Sequence, residues 1–90
     1  MTKSKKKLMS MTNVKNLVGR WFHERVEFES GGVMKTTDGW GDFIDWLGEQ
    51  NRCSELIYAY QWGRAMEQKR FKLEQDGNDW CFHGIKVKDN

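Results

Sequence analysis

The sequence predicts a small α+β domain, an antiparallel sheet of about five strands with one amphipathic helix on one face and a short N-terminal helix. Three observations carry this. "TTDGWGDFIDWLGEQN" sets Trp40, Phe43, Ile44 and Leu47 at i, i+3, i+4 and i+7, the stripe of a helix with one buried face, over about residues 39–50. "RFKLEQDGNDWCFHGIKV" flanks an Asp-Gly pair with two alternating runs, as a tight hairpin does. "VEFESGGV" alternates and then reaches Ser30, Gly31 and Gly32, a second turn signal.

The chain has 90 residues, which bounds it to one domain with a thin core. Its 13% aromatic content compensates, because each ring buries about 150–250 Å². Proline is absent, so Gly, Asn and Asp must make the turns. The net charge of +2 against 31% charged residues describes a mixed surface. Charge concentrates only at the start, where "MTKSKKKLMSM" reads as a flexible basic tail over residues 1–11, ahead of a single domain over 12–90. Cys53 and Cys81 make no disulfide framework, and neither a signal-peptide apolar core nor a membrane-length apolar run is present. The expectation is a reduced, cytoplasmic protein with no membrane partner.

The elements follow in order. Val14, Leu17 and Val18 predict a helix at 12–18, closed by Gly19 as a C-cap. With no break visible between Arg25 and Val26, a strand is expected at 20–29 and its hairpin partner at 33–37. The main helix follows, capped by Thr37 or Asp38, with Asp42, Asp45 and Glu49 on its solvated side and Trp46 off its buried stripe. The remainder reads as strands at 56–62, 66–75 and 80–88.

"IYAYQWGR" poses the main functional question, since Tyr58, Tyr60 and Trp62 alternate ahead of Arg64. With a turn at Gly63-Arg64, strand parity sets both tyrosines on the face of Phe71 and Leu73, and the ladder is core. With a bulge at Gly63, parity flips and an aromatic platform faces outward. Pairing about Asp76-Gly77 or Gly77-Asn78 places Leu73, Trp80 and Phe82 on one face in either case. The opposite face then carries Ile57, Ala59, Gln61, Met66, Gln68, Arg70, Lys72, Cys81 and His83, a mixed basic and apolar surface.

Catalytic and cofactor signatures are weak. His23 and His83 are the only acid–base pair of histidines, and Cys53, Cys81, His83 and His23 lack the paired spacing of a zinc site. There is no Walker loop, dinucleotide fingerprint or H-E-x-x-H. The expectation is a protein with no enzymatic activity, cofactor or metal, and a ribonuclease is a distant third reading.

Three resemblances add to this. The last hairpin, "RFKLEQDGNDWCFHGIKV", is similar to that of the cone-shaped α+β domains of the nuclear transport factor type. "LVGRW" followed by "VEFESGG" resembles the opening strand of lipocalin-like barrels. The lysine-led, tryptophan-rich, proline-free chain as a whole resembles small bacteriophage accessory proteins that block host defence or toxin proteins, which implies a stoichiometric binder in the host cytoplasm.

The leading expectation is therefore a binding protein that inhibits a protein partner by occlusion, with Trp46, Trp62, Arg64, Arg70, Lys72 and His83 at the contact. The alternative is RNA or single-stranded nucleic-acid binding by Lys5, Lys6 and Lys7 of the tail, Tyr58 and Tyr60 as stacking groups, and Arg64, Arg70 and Lys72 on phosphates. A homodimer made by apposed sheet faces is a further expectation.

Overall fold

The structure is a computed structural model, which describes residues 7–50 and 55–88. The element order is β1 (Lys7–Leu8), α1 (Met11–Arg25), β2 (Val26–Lys35), α2 (Thr36–Glu49), β3 (Glu55–Leu56), α3 (Ala59–Glu67), β4 (Leu73–Asp76) and β5 (Asp79–Val87). An antiparallel sheet has the order β2-β5-β4, and β1 pairs with β3 in a separate parallel ribbon. The α+β class stands as expected; the five-stranded sheet is three-stranded, because the expected strand at 56–62 is largely helical and those expected at 20–29 and 33–37 are one strand, β2. No helix among the described residues is long and apolar enough to cross a membrane.

The stretch expected as a tail is built into the fold from Lys7 onward. Met9 is buried, its N–H donates to Leu56 O, and the Ser10 side chain accepts from Asn13 N–H as the N-cap of α1. Lys5 and Lys6 lie outside the described residues.

α1 does not stop at Gly19. It runs on to Arg25, burying Val14, Leu17, Val18 and Trp21, and hands over to β2 with no linker. Burial of the Trp21 ring repays the weak helix propensity of Gly19, whose absent side chain would meet nothing. The expected Ser30–Gly32 hairpin turn is instead a bulge within β2. Val26–Phe28 pair with Ile85–Val87 and Val33–Lys35 with Cys81–His83, so both halves bond the same strand. Gly31 and Gly84 accommodate this at φ of 78° and 91°.

α2 starts at Thr36, three residues before the expected bound, and is rotated from the expected stripe. Gly39, Phe43, Trp46 and Leu47 are buried, whereas Ile44 is exposed. Trp46, expected at the surface, is 1% exposed. Its indole N–H donates to Glu24 Oε1 at 3.1 Å, and the Arg20 guanidinium lies 5.8 Å from its ring. The core lies where α1, α2 and α3 meet the sheet, and its centre is aromatic, with Trp21 edge-on to Phe43 and to Trp62.

The "IYAYQWGR" stretch is neither core strand nor platform strand. Ala59 to Glu67 is helical and buries Gln61, Trp62, Ala65 and Met66, an i, i+1, i+4, i+5 pattern. Gln61 starts it: its Oε1 accepts from Tyr58 N–H at 2.9 Å, and its Nε2 donates to Met9 O at 2.7 Å. The expected strand at 66–75 is reduced to Leu73–Asp76. Its register with β5, Leu73 opposite Phe82 around Gly77-Asn78, is one of the two expected.

A candidate binding groove

Trp62 supplies the floor of an open groove of about 340 Å³. The ring packs edge-on against Phe82 of β5, and the benzo edge lies against Gly39 of α2, where a Cβ would come within 2.8 Å of it. Glycine at position 39 thus sets how closely α2 approaches α3. The walls are Thr36, Thr37 and Trp40 from α2, and Ala59, Tyr60, Gly63 and Glu67 from α3. Leu73 of β4 closes one side.

The groove opens onto an apolar margin. Leu73 (38% exposed), Tyr60 (55%) and Trp80 (49%) are large rings or branched chains left in solvent. Sheet parity puts Leu73, Trp80 and Phe82 on one face, so the apolar surface runs from the groove floor to the hairpin. Glu67 is the single carboxylate in the lining. Nothing fills the Gly63 position, where a Cβ would meet no atom within 4 Å.

The expected site residues divide among four places. Trp46 and Trp62 are interior, the latter forming the floor. Tyr58 and Tyr60 are exposed and stacked, with centroids 5.9 Å apart and planes 21° from parallel, and the Arg64 guanidinium lies 5.9 Å from the Tyr60 ring. Lys7, at the surface on β1, stands opposite Glu55 in the backbone register of the ribbon leading to this stack. Arg70 and Lys72 lie beyond α3; Arg70 has a left-handed φ of 62°, and Lys72 pairs with Glu74 at 3.3 Å. His83 Nε2 comes within 3.4 Å of the same Glu74 without the alignment of a hydrogen bond. The expected Arg64–Arg70–Lys72 stripe is therefore interrupted by the end of α3.

The mixed face expected opposite the tyrosines is also not a surface, because Gln61, Met66 and Cys81 are buried. Burial pushes the Cys81 thiol up, and the Asp76 and Asp79 carboxylates push the same way, which disfavours the nucleophilic thiolate. Among the described residues, no group of three or more His, Cys, Asp or Glu side chains is placed to hold a metal ion; Cys53 lies outside them.

Sequence reasoning missed the hairpin margin and a second aromatic cluster. Phe22 stacks on Phe71 at 5.5 Å, Phe28 tilts over Phe71 at 5.7 Å, and Lys69 Nζ sits 4.5 Å from the Phe22 ring. Phe28 is 73% exposed. Phe71 lies 49 residues from Phe22, so no local pattern in the sequence signals this cluster. No protein-family model matches the chain, and no curated protein or solved structure matches it either.

Proposed function

We propose that this chain is a small binding protein that occludes a surface of a partner protein, taking an apolar anchor of that partner into the groove floored by Trp62. The observation that carries the reading is the continuity of the groove with exposed Tyr60, Leu73 and Trp80. Aromatic anchors in a desolvated pocket with a polar rim concentrate binding energy. Glu67 at the wall favours an anchor with an adjacent Lys or Arg. The resemblance to phage accessory proteins supports a host defence or toxin protein as the partner class.

The test is selection from a random displayed peptide library on immobilised protein. The expected winners carry an aromatic or leucine anchor beside a basic residue. They lose at least tenfold in affinity for Gly63→Leu, which adds a side chain to the groove wall at a position where a Cβ meets no atom within 4 Å. Winners that bind this variant and the parent equally would sink the reading.

A second reading is favoured by one different observation, the Tyr58–Tyr60 stack beside Arg64. Stacked, exposed tyrosines with a guanidinium suit single-stranded nucleic acid. Salt-sensitive binding of oligo(U), lost in Tyr58→Ala and unchanged in Gly63→Leu, would favour it over the groove.

A further inference from the structure

The free edge of the sheet carries a self-complementary pattern. β4 ends the order β2-β5-β4, and all four of its residues are exposed. His83 N–H donates to Lys72 O at 2.9 Å, which fixes the alternation of the ladder. Lys72, Glu74 and Asp76 turn their backbone groups toward β5, so Leu73 and Gln75 turn theirs outward, where no described strand meets them. Unpaired outward groups on an edge are a template for another strand.

We propose that the edge segment Phe71–Gln75, which runs from the two residues before β4 into the strand, pairs antiparallel with the same segment of a second copy of this chain, about a two-fold axis at Leu73, joining two three-stranded sheets into one of six. The charges choose this register. A two-fold at Leu73 sets Lys72 opposite Glu74 of the second copy, twice by symmetry, with Leu73 against its own counterpart. An axis at Glu74 opposes two glutamates, one at Lys72 opposes two lysines, one at Gln75 opposes Glu74 to Asp76, and one at Phe71 opposes Arg70 to Lys72. Like charges directly opposite destabilise a strand pair, so only the Leu73 axis satisfies the edge. The same register covers Leu73, one of the exposed apolar residues on that face. Both grooves then lie on the same side of the joined sheet. The proposal goes beyond the groove reading and does not rest on it.

The test is the mass of the full chain by sedimentation equilibrium from micromolar to millimolar concentration. Wild type is expected to show a monomer–dimer equilibrium. Lys72→Glu faces Glu74 of the other copy twice and weakens dimerisation by about tenfold. Lys72→Glu combined with Glu74→Lys reverses the pairs and restores it. Gln75→Pro removes an outward N–H while leaving the bonds to β5 intact, and is expected to be monomeric. A wild-type chain that stays monomeric throughout overturns the proposal. So does a dimer whose affinity the Lys72→Glu change leaves untouched or the double change fails to restore. Failure here leaves the peptide-selection result standing, and the reverse holds equally.

Discussion

The Trp21 indole N–H donates to Asp42 Oδ2 at 2.8 Å, and the same carboxylate takes the Arg25 guanidinium at 3.0 Å. Sequence reading put Asp42 on a solvated helix side, yet it ties the end of α1 to α2. Burial pushes the Asp42 carboxyl up, but the Arg25 hydrogen bond, the Trp21 hydrogen bond and the Arg25 charge together outweigh it and hold the pKa below the ordinary carboxylate value.

Asp42→Ala should cost about 2–4 kcal/mol in urea unfolding, because the Trp21 N–H loses its acceptor and Arg25 its main partner. Asp42→Asn keeps an acceptor and should cost less. The folded pKa lies below the unfolded one, so the carboxylate's contribution is complete above the unfolded value of about 3.9. It falls away as pH drops through the folded value. The Asp42→Ala penalty should therefore shrink in acid; a penalty equal at pH 7 and pH 2 would contradict the ionic account.

Two glycines of α2 should respond in opposite directions. An alanine Cβ at Gly39 would stand 2.8 Å from Trp62 Cζ2 and 2.9 Å from Met34 Cε, and the buried indole cannot withdraw as the methionine can. Gly39→Ala should lose about 1–2 kcal/mol even after the helix-propensity gain. At Gly41 a Cβ meets nothing within 4 Å. Gly41→Ala should gain about 0.5–1 kcal/mol, read as a rise in thermal midpoint.

Arg70 is the only non-glycine residue at positive φ among those described, 62°, in the turn where its N–H donates to Glu67 O at 3.0 Å. Gly suits a left-handed helix exit better than Arg. Arg70→Gly should raise stability by about 0.5–1 kcal/mol. Arg70→Ala should gain nothing, since its Cβ keeps the strain. Equal midpoints for the two variants would refute this.

The two central indoles differ in one bond. Trp62 Nε1 is buried without a hydrogen-bond partner among the described residues, whereas Trp21 Nε1 has Asp42. Trp62→Phe leaves a void but removes an orphaned donor, two effects of about 1–3 kcal/mol each that oppose. It should change stability by less than about 1 kcal/mol. Trp21→Phe has no such offset and should cost about 2–4 kcal/mol. A Trp62→Phe penalty as large as that of Trp21→Phe would show that the orphaned N–H is not a cost.

The last hairpin was legible because Asp76-Gly77-Asn78 is local turn chemistry and the side-chain period of two holds across its small register shift. The existence of α2 was legible from its apolar stripe, but its rotation was not. Trp46 is buried because Glu24 and Arg20 of another helix receive it, which no window of α2 contains.

"IYAYQWGR" shows the limit most sharply. Tyr58, Tyr60 and Trp62 fit a period of two, while Trp62, Ala65 and Met66 fit 3.6, and a short stretch satisfies both. Met9, 52 residues away, decides between them by accepting the Gln61 amide and fixing the first turn of α3. By itself the sequence determined the composition class, the hairpin with its two faces and the presence of a helix around Phe43. Only the tertiary structure decided that both halves of β2 share one partner, that Trp62 floors a groove, and that β4 is the free edge. The physical reason is range. Turn and cap preferences act within about four residues, whereas burial and strand pairing are settled by groups that only the folded chain brings together.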